Sequence, residues 1–251
     1  RLKYFDFFWD SDYHDVYPRA RILVMPTISD NLNIVKQRIA SAAQRSSRPA
    51  EAVSLVAVAK TASANDLREA YSAGHRLFGH NRVQALEEHR LVLPDAEWHL
   101  LGPLQGKKVL RGVAACNVYQ ALANIKTAQR IERVLAENGR KLDVLLQVNV
   151  HSEDGRNGLS LEQVDAFCDE IAGLEHIQLA GVMNLAVADA NDTQLHNDFA
   201  AVRECFESLQ KQRFIKDDAI LSMGMSGDFE IAISEGANLV RVGRAIFPVS
   251  G

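Results

Sequence analysis

From residue 29 the chain settles into an alternation of short apolar runs and longer stretches with helical periodicity. The first helical stretch, capped by Ser29 or Asp30, is expected to reach about Arg45, with Leu32, Val35, Ile39 and Ala42 on one face. Apolar runs follow at residues 54–59, 76–79, 98–102, 115–119, 144–150, 179–184, 220–225 and 239–243. Between them, residues 65–73, 82–90, 122–138, 161–172 and 193–212 carry helical spacing. Leu195, Phe199, Val202, Phe206 and Leu209 line one face of the last of these, as a barrel-facing helix requires. Strands alternating with helices imply a parallel sheet. Eight such units in about 225 residues match a single (β/α)8 barrel. An open doubly wound sheet is the alternative. It would carry a glycine-rich loop after its first strand, and neither GxGxxG nor a P-loop occurs.

Residues 1–24 stand apart from this pattern. Seven of the chain's 17 aromatic residues fall there: Tyr4, Phe5, Phe7, Phe8, Trp9, Tyr13 and Tyr17. Asp6, Asp10, Asp12 and Asp15 interrupt the continuous apolar core that a secretory signal needs. The expectation is an extension outside the fold, with the barrel domain over residues 25–251. A strap docking on the barrel or on a partner is the alternative reading. The 251 residues, 47% hydrophobic and 24% charged, suit a globular domain that needs no disulfide or metal staple. A net charge of −4 lacks the basic footprint of a nucleic-acid binder. No apolar run reaches the ~20 residues of a membrane-spanning helix. Cys116, Cys168 and Cys205 are odd in number and far apart, without metal-ligand spacing. They point to a reducing cytoplasm.

Chemistry in such a barrel sits where strands end at the C-terminal face. The first strand, SLVAVAK, ends in Lys60. A lysine at an apolar strand end is expected to be partly desolvated, and a free amine there can form a Schiff base with a carbonyl compound. A lysine that merely extends into solvent is the alternative. Near the other end of the chain, an apolar strand enters the turn Gly224-Met225-Ser226-Gly227, where Ser226 could cap the following helix. Further on, Val240-Arg241-Val242-Gly243-Arg244 reads as the last strand and its turn. The loops after strands seven and eight are the usual phosphate site of this barrel. Ser226, Gly243, Arg241 and Arg244 are therefore candidates to hold a phosphate. Arg241 could instead fill the barrel or enter an ion pair. A lysine and a phosphate cup together suggest an aldehyde with a phosphate handle.

The segments VSLVAVAKT, FGHNRVQ, WHLLGPLQGKK, LLQVNV, GVMN, LSMGMSGDFE and LVRVGRAIF, in this order, resemble the pyridoxal phosphate homeostasis protein family. The resemblance spans roughly residues 28–247. It implies a barrel of the kind found in the alanine racemase N-terminal domain. It also implies pyridoxal 5′-phosphate (PLP) bound as an aldimine on Lys60 and a role in PLP and amino-acid homeostasis without a dedicated catalytic reaction. On this resemblance Asn81 lines the cofactor pocket, and Ser226, Gly243 and Arg241 form the phosphate cup, with Arg241 alternatively facing the pyridine nitrogen. Met183, after strand six, and Met223 wall the ring. His99 is either a hydrogen-bonded barrel histidine or a direct cofactor contact.

Several positions depart from the family pattern. His80 stands where the family has glutamate, and Arg82 where an aromatic is common. Lys107 takes an asparagine position. Asn117 and Gln120 replace a histidine and an aspartate after strand four. Arg244 replaces a small hydroxyl residue. His80, Arg82 and Arg244 together are expected to make the mouth more basic, and a guanidinium can hold phosphate in bidentate fashion. Two other functions stand as alternatives. A racemase-like PLP enzyme would need a second proton-transfer group, which barrel racemases draw from a C-terminal domain. The sequence ends at Gly251, soon after the last strand, and Tyr119 is the one tyrosine near the mouth, better suited to packing. A phosphate-binding barrel for a ligand other than PLP is the third reading. The expected partners are PLP and apo-enzymes that receive it, with neither nucleic acid nor membrane, and the expected state is a cytoplasmic monomer.

Overall fold

Eight parallel strands follow one another around a closed barrel in the order β1 to β8 in this computed structural model, which describes residues 26–151 and 157–248. The strands are β1 (Ser54–Val58), β2 (Leu77–His80), β3 (Glu97–Leu100), β4 (Val118–Leu122), β5 (Leu142–Val148), β6 (Ile177–Asn184), β7 (Ile220–Ser222) and β8 (Leu239–Val242). Helices α1 (Ile28–Arg45), α2 (Ala64–Ser72), α3 (Val83–Val92), α4 (Lys108–Ala115), α5 (Ile125–Glu137), α6 (Val164–Ile171), α7 (Asp192–Lys211) and α8 (Phe229–Ser234) accompany them. The (β/α)8 barrel expected from the alternation is therefore the fold. The segment 1–24, expected to lie outside it, falls outside the described residues.

Helix starts are set by local chemistry. Thr27, rather than Ser29 or Asp30, caps α1: its side chain accepts from the Asp30 amide while the Asp30 carboxylate accepts from the Thr27 amide. Asp30 is thus the third helical residue of a capping box. Ser63 and Asp66 repeat the device at α2, and Asn124 and Asn191 cap α5 and α7. The apolar stripe of α1 expected from the sequence is buried, with Leu32 fully so.

Two boundaries differ from the sequence reading. The run 115–119 spans the last residue of α4, the Cys116–Asn117 junction and the first two residues of β4. Helix α4 was not expected, being eight residues long with Gly112 in its middle. Leu122, expected to open a helix, ends β4 instead. Asn117 and Gln120 consequently lie just before and within β4, not after it.

The apolar core occupies two zones. Behind the strands, Phe78 and Trp98 pack with ring centroids 5.3 Å apart, both fully buried. Inside the barrel, aliphatic residues share the space with an unusual set of buried polar groups: His99, Gln120, Ser222 and Arg241. The barrel closes where β8 pairs with β1, in the register Ser54↔Leu239 to Ala57↔Val242. Arg48 reinforces this seam. Its guanidinium donates to the carbonyls of Ile233 (3.2 Å), Ala237 (2.8 Å) and Ala52 (3.2 Å).

Candidate functional site

The closing seam brings together the residues that the sequence separates most widely. Lys60 stands two residues beyond β1 and is exposed. Exposure replaces the partial desolvation expected from its apolar strand, because the chain leaves the sheet after Val58. Among the described residues, Lys60 makes neither a hydrogen bond nor an ion pair. The turn after β8 lies directly beside it. A Cβ on Gly243 would come within 3.2 Å of the Val58 carbonyl oxygen, so glycine permits this close approach. The Thr61 hydroxyl donates to the Phe247 carbonyl at 3.2 Å, tying the exit of β1 to the end of that turn.

Within the turn, the Gly243 carbonyl accepts from the amides of Ile246 and Phe247, both at 2.9 Å. The amides of Arg244 and Ala245 have no acceptor among the described residues, and the Arg244 side chain is exposed. On the adjacent strand, β7 runs into a tight loop whose Asp228 carboxylate accepts from the Met225 amide at 2.5 Å. Asp228, not Ser226, is the residue before α8. The capping role considered for Ser226 is therefore corrected: Ser226 lies two residues upstream, in the turn itself. Its hydroxyl and the amides of Ser226 and Gly227 have no partner among the described residues. Among the described residues, the mouth thus offers a free primary amine beside several unpaired donors on two neighbouring strand ends, which is the chemistry of an anion cradle next to a nucleophile.

Arg241 takes a different course. Its register partner is Val56, and its side chain enters the barrel. Its guanidinium donates to Ser222 Oγ at 2.5 Å and to the Asn184 carbonyl at 2.6 Å. Burial pushes its pKa down to about 10, partly countered by Asp228, which leaves it charged at neutral pH. Met183 lies within β6 rather than after it, fully buried, in register with the inward-facing Ser222. Met223 follows Ser222, and its amide continues the β8 pairing by donating to the Leu239 carbonyl at 3.1 Å. Strand parity turns its side chain away from the interior, so of the two expected wall methionines Met183 alone faces inward. Asn81 is exposed just past β2, on the strand beside β1. Its carbonyl oxygen fills the space that a Cβ on Gly102 would need, 2.0 Å away, which draws the exits of β2 and β3 together.

His80 corrects another expectation. It is 2% exposed and its ring meets His89 of α3 edge-on at 5.4 Å, behind the sheet rather than at the mouth. Its Nδ1 accepts from the Arg82 amide at 3.0 Å, and its Nε2 is buried without a partner among the described residues. Burial, with His89, Arg82 and Lys60 adding to it, pushes its pKa down to about 4. His80 is neutral near pH 7 and adds no positive charge to the mouth. Tyr119 donates to the Ala121 carbonyl (2.7 Å) and accepts from the Leu104 amide (3.2 Å), and burial raises its pKa. This is the packing role foreseen for it. His99 is a buried barrel histidine between Glu97 (3.0 Å) and Gln120 (2.6 Å). The hydrogen bond from His99 holds the Glu97 carboxyl below its usual range.

Sequence reasoning missed one pair at the same end of the barrel. His151, three residues past β5, places Nε2 at 2.8 and 2.9 Å from the two carboxylate oxygens of Asp198 on α7. No local motif links residues 47 positions apart. A cavity of about 430 Å³ opens between the loops after β3 and β4 and helix α5, with Lys126 and Arg130 on its wall and Lys60 outside it. Among the described residues, no cluster of three or more His, Cys, Asp or Glu is placed to hold a metal ion, and no helix is long and apolar enough to cross a membrane.

Residues 31–250 match the family model of the alanine racemase N-terminal domain. The pyridoxal phosphate homeostasis protein of Pseudomonas aeruginosa is 36% identical over 225 residues, covering 89% of this chain and 96% of that one. Its counterpart from Haemophilus influenzae is 33% identical over 224 residues, covering 88% and 94%. Among solved structures, PipY of Synechococcus elongatus with PLP bound matches at a TM-score of 0.73 and 34% identity, over 85% of this chain and 99% of that one. An alanine racemase of Clostridium difficile matches in fold at a TM-score of 0.69 and 18% identity, with 56% of its length covered.

Proposed function

Since this chain belongs to the alanine racemase N-terminal domain family, and within it to the pyridoxal phosphate homeostasis proteins, we propose that it holds PLP covalently on Lys60 and serves PLP and amino-acid homeostasis without a dedicated reaction of its own. The observation that carries this reading is the unpartnered Lys60 amine, set beside unpaired donors at the ends of β7 and β8. PLP brings an aldehyde and a phosphate. The aldehyde can take up a lysine amine reversibly with loss of water. The Ser226 hydroxyl and the amides of Ser226, Gly227, Arg244 and Ala245 suit the phosphate, as does the exposed Arg244 guanidinium. Asn81, past the end of the strand beside β1, and Met183, facing inward from β6, are the residues we assign to the cofactor's surroundings.

The inward course of Arg241 favours the second of its two expected roles, facing the ring nitrogen rather than the phosphate. A guanidinium there would act only as a donor, and would hold the ring nitrogen unprotonated and the ring a weak electron sink. That suits a holder of the cofactor better than a catalyst. The engagement of the Tyr119 hydroxyl by Leu104 and Ala121 supports the same view, since it removes the one tyrosine considered for proton transfer. The recipients we propose are apo-enzymes that use PLP. The three cysteines are free, in keeping with a cytoplasmic setting.

Titrating the wild-type chain and Lys60→Ala with PLP, followed by visible absorbance, tests the reading. Wild type is expected to develop an absorption band that Lys60→Ala lacks, and neither protein is expected to turn over D- or L-alanine. A band retained in Lys60→Ala contradicts the assignment, and steady turnover by wild type contradicts the carrier role.

A further inference from the structure

Five side chains from four strands are joined through the barrel interior. Arg241 of β8 donates to Ser222 Oγ of β7 (2.5 Å), and Ser222 donates to Gln120 Oε1 of β4 (2.8 Å). Gln120 Nε2 lies 2.6 Å from His99 Nδ1 of β3, and His99 Nε2 lies 3.0 Å from Glu97 Oε1 on the same strand. Four of these residues are buried, and Glu97, the first residue of β3, has a side chain 52% exposed.

The two ends fix the proton at every link. A guanidinium only donates and a carboxylate only accepts. Ser222 accepts from Arg241, so its own proton goes to Gln120, whose carbonyl must face it. The Gln120 amide then donates to His99 Nδ1, which must be bare. His99 therefore carries its proton on Nε2 and passes it toward Glu97. All four bonds run in one direction, from a cation to an anion, and bonds so ordered reinforce one another. A packed barrel of aliphatic side chains would need none of this. The chain of bonds spans the interior from the N-terminal end of β3 to Arg241.

We infer that Glu97, His99, Gln120 and Ser222 form a directional hydrogen-bond relay that holds the Arg241 guanidinium in one orientation toward the barrel mouth, making them positioning residues for the ligand end. This inference rests on the proposed PLP site. Among the described residues, the Ser222 and Gln120 side chains hydrogen-bond only within the relay, and a further polar contact, Arg241 to the Asn184 carbonyl at 2.6 Å, fixes the guanidinium from the β6 side.

The test uses the full chain with PLP as the probe. In the unliganded protein, nitrogen-15 spectra are expected to show His99 protonated at Nε2. The isosteric Gln120→Glu, which can only accept at Nδ1, is expected to add a proton there while Nε2 keeps its own toward Glu97. Ser222→Ala, which cuts the link to Arg241, is expected to weaken PLP binding about tenfold and shift its absorption maximum, with the band still trapped on Lys60. Ser222→Thr restores the hydroxyl and is expected to restore both. Unchanged PLP affinity and spectrum in Ser222→Ala and Gln120→Glu, with wild type binding normally, overturn the relay. So does a wild-type His99 protonated at Nδ1. A wild-type chain that takes up no PLP on Lys60 fails before any variant is made. It overturns the cofactor reading and removes the relay's task with it.

Discussion

At the scale of single residues, the site is defined by which polar groups are already engaged and which are free. Lys60 and Ser226 have no partners among the described residues, whereas Tyr119, His99 and Arg241 do. Replacing an exposed, unpartnered side chain disturbs a fold little, within about 0.5 kcal/mol. Lys60→Ala is therefore expected to melt with wild type while losing covalent ligand. Ser226→Ala removes one hydroxyl from the cradle. It is expected to weaken competition by inorganic phosphate about fivefold, the worth of roughly one hydrogen bond. Equal competition in the two proteins puts the phosphate elsewhere. Lys60 and Ser226 were legible because each sits at a strand end or turn inside a short motif. The direction of His80 was not. Which face of a strand its side chain takes depends on how the barrel closes, and closure set it against His89 of α3 instead of at the mouth. Arg241 was legible as a functional arginine, but its partners lie 19 and 57 positions away and meet it only across the closed barrel.

At the scale of elements, the apolar runs located all eight strands, because buried parallel strands read as nearly continuous hydrophobic stretches. The errors came where that signal is ambiguous. The run 115–119 mixes a helix end with a strand start, since both are buried there. Thr27 outcompeted Ser29 and Asp30 as a cap because Asp30 serves better as the reciprocal acceptor, three residues on. The seam between β8 and β1 is the element contact on which the site depends. Arg48 holds it through three carbonyls, and burial lowers its pKa. Arg48→Met keeps the aliphatic stem and abandons those carbonyls. It is expected to cost about 2–3 kcal/mol in urea unfolding, as lost charged hydrogen bonds do. A change below about 0.5 kcal/mol shows that the seam is held without it.

At the scale of the whole molecule, stability is linked to two buried histidines. Burial pushes His75 and His80 from their ordinary 6.5 down to about 4. The folded state prefers the neutral ring, so their contribution is complete above about pH 6.5. It is lost as the pH falls toward 4, where the folded rings also charge, at about 3 kcal/mol for each histidine. The urea midpoint is expected to fall steadily across that window. His80→Asn, which can still accept from the Arg82 amide, should remove about half of the drop. A midpoint flat between pH 6.5 and 4 contradicts the burial of both rings. The same window bounds conditions for ligand work, which belongs above pH 6.5.

The central claim is a covalent ligand on one particular lysine, held at the seam where the first and last strands meet. Borohydride reduction of the PLP-loaded chain, followed by peptide mapping, tests it most directly. A single modified peptide carrying the label on Lys60 is expected, with that label suppressed by excess inorganic phosphate. Label scattered over surface lysines, or confined to a lysine away from the seam, contradicts it.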